Sequence, residues 1–327
     1  MLKRRVQAAG LLRKQPWYYA LVIAANSAML ALCLVLLVIL HSPWLLALDA
    51  AFLGWVSGQL GFQLHDAGHR QMFEQGWKNN LVGVITGDAL LGMSYGWWVM
   101  KHNQHHASPN NIDADPDVNN LAIAYSRQQA LERRGPMRWL AAYQAFFFFP
   151  MLFLLGFSMH ASSVMHLAGK DARRRWLELA VLVAHFAVYV GVLVWLLGPW
   201  LALVVMLVHK AVGGFYMASV FAPNHKGMPQ TDASTRLDFL RSQVLTARNV
   251  RANPITDLWY GSLNYQIEHH LFPAMPRNRL RAAHRIVKQY CSEIGVPYYE
   301  TSMWRSYREL LAFLHDVGRP LRGASAS

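Results

Sequence analysis

Two long runs of apolar residues open the chain, covering 17–40 and 44–64, and only His41-Ser42-Pro43 separates them. The same arrangement returns at 177–197 and 200–221, parted by Gly198-Pro199. Each run has the length of about 20 residues that a bilayer's hydrocarbon core requires. Proline and glycine at the interruptions end one helix and allow the chain to reverse. The pattern predicts an all-α integral membrane protein with four transmembrane helices in two hairpins. Two other apolar stretches, 81–100 and 139–160, are less regular. The first contains Asp88 and glycines at 83, 87, 92 and 96, and both are expected to be interfacial or re-entrant. The remaining, more polar segments are expected to form a cytosolic helical cap, the whole making one domain over residues 1–327.

Charge sets the orientation. The chain is 54% hydrophobic and 15% charged, with 31 Lys plus Arg against 18 Asp plus Glu, which excludes an ordinary soluble domain. Neither hairpin turn carries Lys or Arg, whereas Lys170, Arg173, Arg174 and Arg175 precede the third run. Positive charge beside spans favours the cytoplasm, so every basic residue but Lys210 is placed there, with both termini. The basic excess then serves the membrane surface, and no nucleic-acid partner is expected. The run at 17–40 follows Lys3, Arg4 and Arg5 but is too long for a signal-peptide core, and is read as retained. Cys33 and Cys291 are too few for a disulfide framework, a zinc knuckle or an iron–sulfur cluster.

Candidate chemistry lies in the histidines. Seven of the fifteen fall in three short windows: His65 and His69 in HDAGH; His102, His105 and His106 in HNQHH; His269 and His270 in QIEHH, where Gln266 takes the first position. Spacings of i, i+3 and i+4 gather side chains on one helical face, and all three windows lie on the same membrane side in the predicted topology. Imidazoles without thiolates suit iron, zinc, copper or nickel, and their number exceeds one tetrahedral zinc site, so two metals are implied. No HExxH pattern accompanies them, which argues against a metalloprotease and favours redox chemistry with oxygen.

HDAGH at 65, HNQHH at 102 and QIEHHLFP at 266, in this order and with two hydrophobic hairpins, resemble the membrane-bound fatty acid desaturases, whose boxes read HxxxH, HxxHH and QxxHH. The leading glutamine matches the front-end-like branch. The resemblance implies a cytosolic histidine cage for two irons, which use O2 and two external electrons to remove two hydrogens from a fatty acyl chain carried as acyl-CoA or acyl-lipid. It also implies a further ligand near FAPNHKGMP, making His225 the eighth candidate beside His65, His69, His102, His105, His106, His269 and His270. Gln266, a neutral amide, is the weaker candidate, binding poorly or through water.

No residue beyond these is assigned to catalysis. Asp66, Asp113, Asp115, Asp257 and Glu268 lie near the boxes, where they either orient imidazoles or shape turns. Trp55, Trp97, Trp98, Phe215 and Tyr216 either line an acyl tunnel or pack the spans. Lys210 and Asp49 are costly in lipid and imply a partner or water. His284 is expected to face solvent, and His160, His166, His185, His209 and His315 fit no box. No fused cytochrome b5 domain is expected, since residues 1–327 show no HPGG motif and leave little room for one before residue 17. A separate donor such as ferredoxin, or cytochrome b5 with its reductase, is therefore expected. Two alternatives remain: hydroxylation or ketolation on the same scaffold, and a non-catalytic membrane metal carrier.

Overall fold

A computed structural model describes residues 1–119, 121–170 and 172–323. Helices dominate; the one sheet among these residues is a two-residue parallel pairing of Asn249–Val250 with Glu300–Thr301. The chain forms two compact units. One comprises Met1–Leu12, Lys101–Met151 and the chain from Val220 onward; the other comprises Arg13–Met100 and Leu152–Ser219.

The second of these units contains the apolar hairpins. Helices Pro16–Ile39 and Pro43–Gly68 each begin on a proline, whose fixed φ suits the first helical turn. A buried amide joins them: Asn26 Nδ2 donates to Gln63 Oε1 at 3.0 Å, while Gln63 Nε2 donates outward to Thr86 Oγ1 at 2.8 Å. In a lipid-facing hairpin such groups must satisfy one another. At 1.5 Å per residue, Pro43–Gly68 is roughly 39 Å long, some 9 Å more than a hydrocarbon core. Its final turns, which carry His65, therefore have length to spare beyond the apolar layer.

The other hairpin is the 51-residue helical stretch Arg175–His225, interrupted at Gly198 with φ 73° and ψ 165°. That backbone region is open essentially to glycine alone. Tyr189 OH lies 2.7 Å from His209 Nδ1, although 20 residues of straight helix would separate them by about 30 Å. The arms therefore fold back on each other around Gly198, closing on Leu193, Ala202 and Val205. Gly54 lets the first hairpin approach: a Cβ there would stand 2.9 Å from Gly213 N. By length and composition, Pro16–Ile39, Pro43–Gly68 and Arg175–His225 qualify as membrane-crossing helices, and Gly135–Leu152 with Leu155–Ala168 qualifies only as a broken pair.

The stretch 81–100 is not a continuous helix. Gly76–Val84 runs into a π-helical turn, Ile85–Leu91; Gly92 then adopts φ 69°, and a new helix, Tyr95–Ala107, begins. The break leaves carbonyls without helical partners, and two histidines outside the boxes meet them. His160 Nδ1 donates to Gly92 O at 2.7 Å and His185 Nδ1 to Ala89 O at 2.8 Å. The Glu178 carboxylate accepts from Ser94 Oγ at 2.5 Å and Gly96 N at 3.2 Å, an anion at the positive end of the helix that bears the second histidine window.

In the other unit, helices Leu2–Ala8 and Leu280–Glu293 pack with Val244, Ala247, Ile267, Leu271 and Met275 into one apolar core. Arg248, fully buried, donates to Glu309 Oε2 at 2.6 Å and also bonds the Lys226 carbonyl.

Candidate metal centre

Six of the eight candidate histidines lie in the unit that includes Lys101–Met151 and the chain from Val220. Helix Tyr95–Ala107 supplies His102, His105 and His106; helix Gln266–Leu271 supplies His269 and His270; His225 ends the Arg175–His225 stretch. They sort into two groups whose ligand atoms lie within 4.8 Å of one another: His102, His106 and His269 in one, His105, His225 and His270 in the other. Adjacent helical residues point about 100° apart, so each His-His pair delivers one ring to each group. His106 stacks on His270 with ring centroids 4.1 Å apart, where the groups meet.

The second group fixes its own tautomers. His225 Nδ1 lies 3.0 Å from Thr246 O, a carbonyl that only accepts, so this nitrogen carries the proton. His105 Nδ1 donates to Asp115 at 2.9 Å, and His270 Nδ1 donates to Gln243 Oε1, also at 2.9 Å. In the neutral ring each Nε2 then carries a lone pair, and His225 Nε2 and His270 Nε2 face each other at 3.1 Å. Neutral rings with converging lone pairs and protons held on the far nitrogen are the form in which imidazole binds a metal. Burial, helped by the neighbouring Lys226, pushes the His225 imidazole down to about 3, which keeps it neutral.

In the first group His106 Nε2 lies 3.1 Å from His102 Nε2 and 3.1 Å from His269 Nε2. At most one nitrogen of each facing pair carries a proton, so three such atoms converge better on a cation than on one another. The donor set, imidazole throughout, fits a first-row transition metal. His65 and His69 belong to the other unit. They sit at i and i+4 near the end of Pro43–Gly68 with ring centroids 4.6 Å apart, and His65 Nδ1 lies 3.2 Å from Asp66 Oδ1. Trp98 packs on both rings, its centroid 5.7 Å from that of His65 and 6.3 Å from that of His69.

Gln266 is buried and its amide has a defined orientation. Asn224 Nδ2 donates to Gln266 Oε1 at 3.0 Å, so Gln266 Nε2 faces His225 Nε2, also at 3.0 Å. The glutamine thus stands beside the His105, His225 and His270 group.

The acidic residues near the boxes divide by what they touch. Asp115 orients His105 and also accepts from Asn110 N at 2.8 Å and Asp117 N at 2.9 Å. Burial alone would raise the Asp115 carboxyl, but His105 outweighs it and holds the group below its ordinary value. Asp113 accepts from Ala233 N and Asp257 from Asn264 Nδ2, both loop contacts. Glu268 is buried and accepts from Tyr298 OH and Asn249 Nδ2, each at 2.7 Å, which pins helix Gln266–Leu271. His284 does not simply face solvent; its Nδ1 is 2.9 Å from Tyr298 OH.

The segment from Gln243 to Asn249 was not singled out by sequence, yet it supports the site. Gln243 and Thr246 orient His270 and His225, and Asn249 Oδ1 accepts from Ile267 N at 2.9 Å. Its signal is the spacing of three between Gln243, Thr246 and Asn249, which carries no metal-ligand chemistry of its own. Asn110 was missed likewise. With φ 59°, it donates through Nδ2 to the carbonyls of His225, Met228 and Pro229.

Residues 42–302 match the family model described as Fatty acid desaturase. Among curated proteins the chain is similar to the acyl-lipid (9-3)-desaturase of Physcomitrium patens, 33% identical over 94% of this chain and 60% of that protein. It is also similar to the delta(6)-fatty-acid desaturase fat-3 of Caenorhabditis elegans, 29% identical over 99% and 76%. The delta(8)-fatty-acid desaturase of Euglena gracilis is 31% identical over 91% and 73%. The chain thus spans between three fifths and about three quarters of these relatives' lengths.

Proposed function

Because the chain belongs to the fatty acid desaturase family, we propose that it is a membrane fatty acyl desaturase holding two irons. All eight box and near-box histidines are assigned to the two irons: His102, His106 and His269 to one, His105, His225 and His270 to the other, with His65 and His69 as further ligands, while Gln266, whose amide turns its NH2 toward His225, reaches a metal only through water. The observation that carries this reading is the convergence of Nε2 atoms into two groups while Thr246, Asp115 and Gln243 hold the Nδ1 protons of one of them.

The irons, with O2 and two electrons from a separate donor such as ferredoxin or cytochrome b5 with its reductase, supply the oxidising power to take two hydrogens from adjacent methylenes. Two protons are also consumed, and the products are a C=C bond and two waters. An unactivated methylene offers no handle for acid or base catalysis, so the protein's task is to hold metal and chain in register. A cavity of about 70 Å³ in the hairpin unit supports the acyl reading. Leu91, Met93, Met159 and Met217 line it together with Gly61, Ser57, His160 and His209. Lys210, also at its wall, places its ammonium 5.0 Å from the centroid of the Tyr189 ring. The acyl chain is carried by CoA or a lipid.

The same reading treats 1–327 as a single desaturase domain with four spans in two hairpins, the stretches 81–100 and 139–160 staying at the interface. Boxes and termini face the cytoplasm. Charge supports this sidedness, because all Lys and Arg except Lys210 fall outside the four apolar runs and their two turns. Reporters fused after residues 65, 175 and 225 should be cytoplasmic and those in the turns 41–43 and 198–199 external. The functional test is fatty-acid profiling, with double-bond localisation, of cells expressing the chain. A new unsaturated product supports the proposal; a hydroxylated or ketolated product, or an unchanged profile with protein in the membrane, overturns it.

A further inference from the structure

Gln243, on the short helix Phe239–Leu245, is 1% exposed and uses both ends of its amide. Its Oε1 accepts the Nδ1 proton of His270 at 2.9 Å, and its Nε2 donates to the backbone carbonyl of His106 at 3.2 Å. His270 belongs to one imidazole group and His106 to the other. The two contacts enforce each other. A carbonyl only accepts, so the amide nitrogen must face His106 O and the amide oxygen must face His270. A reversed amide would set oxygen against oxygen. The orientation therefore makes His270 the Nδ1–H tautomer, with its Nε2 lone pair directed at His225 Nε2, 3.1 Å away.

We propose that Gln243 is a positioning residue shared by the two metal positions. It sets the tautomer and aim of His270, and through the His106 carbonyl it holds the end of helix Tyr95–Ala107 at a fixed distance from helix Gln266–Leu271. The role rests on the two-metal reading given above. Neither Gln243 nor its spacing belongs to the three boxes, and the residue touches no metal position itself; it acts through His270 and His106.

Two substitutions separate the halves of this role. Gln243→Met keeps the length but neither accepts nor donates. Gln243→Glu still accepts from His270 Nδ1, more strongly than the amide does, but places an oxygen against the His106 carbonyl. The full chain, stripped of metal in lipid nanodiscs, is titrated with Co(II), whose visible absorption reports ligand number and geometry. Wild type should bind two Co(II). Gln243→Met should weaken binding at the His105, His225 and His270 position by on the order of 10–100-fold, the usual effect of losing a group that orients a ligating histidine, and should alter the absorption bands. Gln243→Glu should retain more affinity there than Gln243→Met while shifting the bands away from those of wild type. Wild-type affinity and absorption in both variants would overturn the proposal, leaving Gln243 a packing residue. Should Gln243→Met fail to fold, Gln243→Glu decides: an unshifted spectrum overturns the role. His270→Ala and the wild-type count keep the premise separate: two Co(II) with wild-type absorption in His270→Ala would remove His270 from the metal positions, and a single Co(II) in wild type would sink the two-metal reading itself.

Discussion

His225 Nε2 and His270 Nε2 stand 3.1 Å apart, and each ring has its proton on the opposite nitrogen, held by Thr246 O and Gln243 Oε1. Two lone pairs at that separation repel. A cation between them converts the repulsion into binding, and His105 completes the group from a third direction. The protein has thus committed hydrogen bonds outside the group to keep its interior free of imidazole protons.

Asp115 makes the first prediction. Asp115→Asn must turn either its NH2 or its oxygen toward His105, and the NH2 choice reverses the imidazole tautomer. Iron affinity should fall by about 10–100-fold, as for other partners of ligating histidines. Asp115→Glu should recover part of it. Metal analysis after dialysis against a weak chelator is the check, and full iron retention in Asp115→Asn would remove the carboxylate from this role.

The His225 imidazole predicts an acid-sensitive metal-free fold. Its value is lowered from 6.5 to about 3, chiefly by burial, so between those pH values the unfolded chain binds the proton that the folded one refuses. Stability from this group is fully present above pH 6.5, declines as pH falls through the window, and changes no further below about 3. Thermal unfolding of metal-free protein in nanodiscs should show Tm dropping between pH 7 and 4.5, with a shallower drop for His225→Gln. Equal slopes would contradict the assignment.

Gln266 presents its amide nitrogen to His225 and its oxygen to Asn224. Gln266→Ala should keep iron yet lower turnover at least tenfold, whereas His269→Gln should lose iron. Gln266→His should keep iron and slow oxidation by adding a ligand where the wild type has an amide. Iron content and single-turnover oxidation of the three variants discriminate these outcomes, and normal turnover by Gln266→Ala would make the residue structural.

At Gly198, φ 73° and ψ 165° with open space around a notional Cβ make backbone strain the only cost of Gly198→Ala. Such a residue outside its allowed region costs about 1–3 kcal/mol. Tm should therefore fall by a few degrees while iron content stays at wild type, and an unchanged Tm would mean that the turn accommodates alanine by relaxing.

What the sequence made legible, and what it concealed, follows from range. Gly198 and Pro43 act on their own backbone, so the breaks between apolar runs could be read directly. The i, i+4 spacing is likewise local, and His102 and His106 do share a group, but His105, expected on the same face, lies in the other. The partition of each His-His pair into different groups was equally implicit in a turn of about 100° per residue. Gln243, Thr246 and Asn110 were illegible because their partners lie 27, 21 and 115 residues away. Amide side chains at such positions look like any surface polar residue, and the Thr246 backbone carbonyl carries no mark at all, until the chain closes. The π-helical turn Ile85–Leu91 was hidden similarly, since the histidines that meet the carbonyls of Ala89 within it and of Gly92 just after it come from 185 and 160.

The count of irons tests the central claim most directly. Protein purified from iron-replete cells, shown to desaturate an acyl substrate, and quantified by amino-acid analysis beside elemental analysis should contain two irons per chain. His106→Ala and His270→Ala should each lower that number. A reproducible stoichiometry of one iron or none in protein that still forms the double bond would contradict the account.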